Sequence, residues 1–263
     1  MNNKKSSNKS IIKIILMIII VLLVLFIIAL FYESNRSKKL EEHIAQSQIE
    51  QEERRKQQEL ERQKEQEEKA RQEQEKYEVL KASLPTKFDI RNKVKINVEN
   101  QGQKPFCSFY AYIKSIEITL NYQDNYDYNF KKVYKYLKTA PNNLKETTDP
   151  SILIEELIGL DCTYKDWGFN LEDLTLIKNE IINGRPILID INKELALKIG
   201  AEPSQSENGH RMIIIGYDDT KQSWLVLNSW SSSWRNNGTM WIRYDSKDIT
   251  YQYNSMFQAV IKE

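Results

Sequence analysis

The hydrophobic and polar positions divide the chain into three stretches. Residues 14–31, "IILMIIIVLLVLFIIALF", are eighteen apolar positions without a charge. As a helix they extend roughly 27 Å at about 1.5 Å per residue, close to the thickness of a hydrocarbon core. Residues 33–80 reverse the pattern. Helix formers dominate, Gly and Pro are absent, and between Ile49 and Tyr77 the only aliphatic positions are Leu60 and Ala70. No sustained a/d seam exists there, so a single solvated helix is predicted and a coiled-coil dimer is the disfavoured alternative. Acid-first pairs at i,i+4, namely Glu52–Lys56, Glu65–Lys69 and Glu67–Arg71, support such a helix.

From "ASLPTKFDIR" onward aromatic and aliphatic residues return, and Pro85 ends the charged helix. In the first half of this stretch the spacing predicts a helix over 107–121, with Phe109, Ile113, Ile116 and Leu120 on one face. Further helices are predicted over 129–139, 151–159 and 171–183, the last after an Asn170 cap. The second half reads as strands: "PILIDI" from 186, "RMIIIGY" from 211, "SWLVLNSW" from 223, "TMWIRY" from 239 and "SMFQAVI" from 255. The stretch "DDTKQ" forms a turn between two of them. Helices followed by an antiparallel sheet define an α+β domain with two lobes.

The domain organisation expected is therefore a cytoplasmic tail (1–13), a transmembrane signal anchor (14–32), a charged helical stalk (33–82) and a folded domain (83–263). A cleavable signal peptide fits less well, because no small-x-small site follows the apolar run. Four lysines precede the run (Lys4, Lys5, Lys9, Lys13), against Arg36, Lys38 and Lys39 after it. That bias favours an extracytoplasmic C-terminal domain on the cell membrane, with the bilayer as partner of residues 14–32. Oligomerisation through the stalk is not favoured.

Charge changes little in this picture. With 38 Lys and Arg against 37 Asp and Glu, the net charge is +1, which points neither to nucleic acid nor to an acidic partner. Cysteine count matters more. Only Cys107 and Cys162 are present, and a free nucleophile at Cys107 would preclude an internal disulfide. That usage suits the exterior of a bacterium. Two cysteines and two histidines, His43 in the stalk and His210 in the domain, show no zinc-ligand spacing, and no metal or other cofactor is expected.

Cys107 at a helix N-terminus lies in the positive end of the dipole. A base working near neutral pH must be histidine, and the folded domain has only His210. Asn228 can accept a hydrogen bond from one imidazole nitrogen and leave the other for the thiol. Trp230 can shield that bond from water.

These segments together resemble the papain (C1) family of cysteine peptidases. "LPTKFDIR" resembles the start of that family's mature domain. "ENQGQKPFCSFYA", "GHRMIIIGYD" and "NSWSSSWRNNGTMWIRY" resemble its cysteine, histidine and asparagine segments, in that order. The resemblance implies a papain-like two-lobe fold and a membrane-anchored endopeptidase working through a thioester acyl-enzyme. It implies Cys107 as nucleophile held as a thiolate, His210 as its imidazolium partner, Asn228 as the orienting residue and Trp230 as its cover. Gln101 and the Cys107 N–H would form the oxyanion hole, while Gly209 and Ser108 would line substrate subsites, Gly209 giving room rather than charge. The substrate would be a peptide or protein.

Departures from that pattern are visible. Lys104 replaces a disulfide cysteine, Ser108 replaces the aromatic after the nucleophile, and no Cys-x-Gly-Gly segment occurs near "LDCTYKDWGFN". His210 and Asn228 follow Cys107 by 103 and 121 residues, against roughly 130–150 in papain-type enzymes. The alternatives are a catalytically silent papain-like peptide-binding module, or a transpeptidase or amidase using the same triad.

Overall fold

The structure is a computed structural model. It describes residues 3–124, 130–142, 144, 150–160, 163–164, 173–202, 209–251 and 257–258, with side chains from residue 13 onward except at 163–164 and 257–258. Two compact units are present, residues 1–75 and 76–263.

The first unit is helix α1 (Asn3–Ser83), which continues into the second. The apolar and the charged segments form one uninterrupted helix, as a stretch without Gly or Pro allows. It stops at Ser83 because Pro85 disfavours helical backbone at Leu84. Every large apolar side chain from Ile14 to Phe31 is exposed, so this segment is apolar all round. By length and composition it can cross a membrane. Along the stalk Lys56 pairs with Glu52 at 2.8 Å and Lys69 with Glu65 at 2.7 Å. The third pair differs from expectation: Arg71 reaches back three residues to Glu68, at 2.8 Å, rather than four to Glu67.

By its contacts the second unit opens at Lys76 and includes the last turns of α1. The Tyr77 hydroxyl donates to Asp173 Oδ1 at 3.0 Å. A helical region comes first: α2 (Cys107–Asp124), α3 (Lys131–Thr139) and α4 (Pro150–Ile158). α5 (Leu174–Ile182) and the short α6 (Lys193–Lys198) flank β3 (Ile187–Ile191). Asp173 caps α5, accepting from the N–H groups of Thr175 and Leu176. Asn170, the cap expected from sequence, lies outside the described residues, as does Cys162.

The sheet is antiparallel. β3 is joined by β4 (His210–Asp218), β5 (Ser223–Leu227), β6 (Thr239–Arg243) and β7 (Ile249–Tyr251), in the order β6-β5-β4-β3-β7. β1 (Lys87–Asp89) also pairs with β4, and β2 (Thr163–Tyr164) pairs with β8 (Phe257–Gln258) in a separate ribbon. Of the strand expected from 255, only β8 is described. At the β4–β5 turn Asp218 accepts from the Thr220 N–H at 3.0 Å, bearing out the hairpin.

β4 reads as a continuous apolar run because both its faces are covered. Ile213 and Ile215 join Phe109, Ile113, Ile116 and Leu120 of α2 in one core. Met212 and Ile214 join Ile177, Ile181 and Ala196 in a second, on the opposite face. α2 is buried beyond its apolar stripe: Lys114, Ser115, Glu117 and Thr119 are also inaccessible.

Candidate active site

The segment before α2 is held against the segment after β5. Asn100 bridges Trp230, the Gln101 N–H donates to the Ser229 carbonyl at 2.8 Å, and the Ser231 N–H donates to the Glu99 carbonyl at 2.9 Å. Gln101 is buried as a result. Its Nε2 donates to the Lys104 carbonyl at 2.9 Å and its Oε1 accepts from the Ser229 hydroxyl. An amide nitrogen carries two hydrogens, so the bond to Lys104 leaves one to offer. Lys104 itself donates from Nζ to the Ala140 carbonyl (2.6 Å) and lies 3.0 Å from Asn142 Oδ1. Where the papain resemblance would place a disulfide, an ammonium group ties the loop to the end of α3.

α2 begins at Cys107, a free, half-buried thiol. The N–H of Tyr110 is bonded to the Phe106 carbonyl. The N–H groups that precede it in the first turn have no intrahelical partner, as at any helix start. The backbone N–H groups of Ser108 and Arg211 lower the Cys107 thiol pKa. Arg211 directly follows His210, so the thiol lies against the entrance of β4. Burial pushes the thiol pKa up and outweighs these N–H groups and the Arg211 charge, which lower it.

His210 is buried at that entrance. Its Nε2 lies 2.7 Å from Asn228 Oδ1, and its ring lies 4.6 Å from the Trp230 ring, tilted by 31°. Asn228 Oδ1 also accepts from the Ser229 N–H at 2.8 Å. Two donors on one atom identify it as the oxygen and require the proton of the neutral imidazole to be on Nε2. Nδ1 then carries a lone pair. Burial lowers the His210 pKa to about 4, against the opposing effects of the Asn228 bond and the Asp190 charge. The ring is therefore neutral at pH 7.

Gly209 has φ 88°, and a Cβ there would meet the Ile191 carbonyl oxygen at 2.2 Å. The backbone alone demands glycine, independently of the pocket role expected from sequence. Trp234 backs the indole shield, edge-on to Trp230 with ring centroids 5.6 Å apart.

A family model described as the Peptidase_C39 like family matches residues 96–260. The chain belongs to this family. Membership supports a cysteine peptidase and agrees with the papain resemblance at that level, while the family itself is the C39-like one. No curated protein matches. Among solved structures, xylellain, a cysteine protease from Xylella fastidiosa, is similar at 16% identity and TM-score 0.45, covering 68% of this chain and 87% of that one. The clostridial cysteine protease Cwp84 is similar at 14% identity and TM-score 0.45, covering 66% and 57% respectively. Bromelain from Ananas comosus, solved with the E64 inhibitor, has 16% identity and TM-score 0.43, covering 63% and 92%.

The C39-like domain brings Gln101, Cys107, Ser108, Gly209, His210, Asn228 and Trp230 to the junction of the α2 N-terminus with the entrance of β4 and the end of β5. Sequence reasoning missed Arg211, Asp190 and Ser229. Arg211 and Asp190 form a forked ion pair, Nε to Oδ1 at 2.6 Å and Nη2 to Oδ2 at 2.7 Å. The signal available was the position of Arg211, a charge beside His210 at the mouth of an apolar strand. Asn228 Nδ2 and the Tyr110 hydroxyl are buried without a hydrogen-bond partner among the described residues. Both residues line a small cavity with Glu99, Lys114 and Ser229.

Chemically, this arrangement holds a thiol, a neutral base with one nitrogen pinned, and helix-start donors. Those are the parts an acyl transfer needs.

Proposed function

We propose that this protein is a membrane-anchored cysteine endopeptidase acting through Cys107, His210 and Asn228. The observation that carries the reading is the His210 Nε2–Asn228 Oδ1 contact at 2.7 Å under Trp230, at the entrance of β4.

The steps follow from the atoms available. Cys107 Sγ attacks a peptide carbonyl carbon and its proton passes to His210 Nδ1. The oxyanion that forms is met by the Cys107 N–H and the remaining Gln101 Nε2 hydrogen. As the C–N bond breaks, His210 returns the proton to the departing amine and a thioester remains. His210 then takes a proton from water, the hydroxide adds to the thioester carbonyl, and collapse releases the acid and the thiol. Asn228 keeps the ring oriented throughout, as the third member of a triad does. Ser108 and Gly209 border the groove for the peptide.

Burial bears on the resting state. It disfavours a lone thiolate and a lone imidazolium alike. The resemblance implies a resting ion pair, whereas burial favours a neutral pair that separates charge when the thiol reacts. Residues 14–32 would anchor the enzyme in the bilayer, with the domain on the extracytoplasmic side.

The test uses the full chain in detergent, iodoacetamide labelling of Cys107 resolved by mass spectrometry, and hydrolysis of a labelled casein. Cys107→Ala should abolish hydrolysis, and His210→Ala should slow Cys107 labelling at pH 6 by at least about tenfold. Labelling indifferent to His210 together with no hydrolysis would overturn the peptidase in favour of a peptide-binding module.

A further inference from the structure

The loop that leads from Gln101 to the start of α2 is short and mostly solvent-facing. Of residues 102–105, Gly102, Gln103 and Pro105 are exposed and Lys104 alone is partly buried. All three polar groups of Lys104 are engaged. Its N–H donates to the Gln101 carbonyl at 3.3 Å, closing a turn that passes through Gly102 at φ 58°. Its carbonyl accepts from Gln101 Nε2 at 2.9 Å. A carbonyl oxygen only accepts, so this bond fixes which end of the amide is nitrogen and directs one of its two hydrogens. The planar amide then sets the direction of the other. The ammonium group donates to the Ala140 carbonyl at 2.6 Å and to Asn142 Oδ1 at 3.0 Å.

Ala140 is buried and caps the C-terminus of α3, its own N–H bonded to the Tyr136 carbonyl. The last carbonyls of a helix lack intrahelical partners, and a cation there meets the negative end of the dipole. α3 is itself fixed, because Val133, Tyr134 and Leu137 lie in the core that also takes Phe106, two residues after Lys104. Pro105 restricts Lys104 to extended backbone, which limits where its carbonyl can point. A lysine on a helix end would be a surface contact only, were it not that the same residue holds the amide of Gln101.

We propose that Lys104 is a positioning residue: its ammonium, moored to the end of α3, holds its carbonyl where Gln101 Nε2 is aimed at the oxyanion. Ser229 holds the other atom of that amide, its hydroxyl donating to Gln101 Oε1. The amide is thus clamped from the helical side by Lys104 and from the end of β5 by Ser229. A preset donor stabilises the oxyanion without reorganising as charge develops, and a loop released from α3 loses that setting. Lys104 acts through Gln101, and the inference rests on the peptidase reading.

The test is a double-mutant cycle on the full chain in detergent, read by hydrolysis of labelled casein and by iodoacetamide labelling of Cys107. Lys104→Met keeps the length of the side chain and removes the cation. It should lower kcat by about tenfold with KM within about twofold, part of the roughly hundredfold or more that losing an oxyanion donor costs. In a Gln101→Ala background the same substitution should change kcat by less than about twofold, because the donor it positions is gone. Alkylation by iodoacetamide forms no oxyanion, so Cys107 labelling should keep its parent rate. Lys104→Arg, which restores a cation, should bring kcat back to within about threefold of the parent. Unchanged tryptophan fluorescence shows that the fold persists. If Lys104→Met does not fold, Asn142→Ala takes its place, since it removes one acceptor at an exposed residue. Its kcat should fall about two- to threefold, and not at all in the Gln101→Ala background. An equal fall in both backgrounds, a kcat within about twofold of the parent for Lys104→Met, or labelling that slows in step with hydrolysis would make the tie a structural link only. Failure of the peptidase reading looks different: the parent chain would itself not hydrolyse casein, and this inference would fall with it.

Discussion

Two helices of this chain carry an ion pair at the same spacing, in opposite surroundings. In the stalk, Glu68 and Arg71 are three residues apart, with side chains 49% and 70% exposed. In α2, Lys114 and Glu117 are also three apart, with side chains 7% and 9% exposed. The stalk pair has the acid first, the better polarity along a helix, and α2 has the reverse. Polarity is not what decides their weight. Water screens the stalk pair, while the α2 pair is enclosed, with the Tyr134 hydroxyl donating to Glu117 at 2.8 Å and the Lys114 ammonium 4.6 Å from the Tyr134 ring centroid. Burial still pushes the Glu117 carboxyl up, against both donors. Equal spacing therefore says nothing about how much folding free energy depends on a pair.

The sharpest break of this comparison is Lys114→Met. Leaving Glu117 buried without its cation should lower stability by about 3–5 kcal/mol, and Lys114→Met with Glu117→Leu should recover most of that loss. Urea unfolding followed by tryptophan fluorescence measures it cleanly, because all five tryptophans lie beyond residue 83. A loss below about 1 kcal/mol for the single variant would put the α2 pair in the class of exposed ones.

Acid offers a second way to separate buried from exposed groups. His210 has a folded pKa of about 4 against 6.5 for the free side chain. Between those values the unfolded chain binds a proton that the folded chain does not. Stability contributed at this site is thus complete above pH 6.5 and falls as pH drops toward 4, by up to about 3 kcal/mol. The same urea series at pH 7 and pH 4.5 should show a smaller acid loss for His210→Gln than for the parent. Equal losses would mean that His210 is not the group being protonated.

The smallest effect belongs to the stalk. Glu68→Gln should leave stability unchanged within the error of the measurement. Hydrogen exchange of the amides around residue 68 reads it, and a loss comparable with that of Lys114→Met would erase the contrast between the two helices.

Much of the candidate site was legible because its chemistry needs rare residues in a fixed order. With one histidine in the folded domain, Cys107, His210 and Asn228 could be grouped without a structure. The apolar stripe of α2 and the run of β4 were legible for the same reason: burial on a regular element leaves a period. Other features left no period. α6 and β7 are short, and their neighbours determine them. Arg71 chose Glu68 over Glu67 by rotamer, which spacing does not specify. Lys104 looked like the loss of a staple, and only the position of residues 140–142 shows the noncovalent tie that takes its place.

Local sequence by itself determined the long helix, its end before Pro85, the apolar segment able to cross a membrane, and the identity of the thiol, the imidazole and the amide. Each follows from bonded neighbours or from residue chemistry. Tertiary structure alone decided which groups are dry and that Asp190 stands opposite Arg211. Those depend on strand register and on burial from several elements at once, and the cost of a charge depends on everything around it rather than on the residues beside it in the chain.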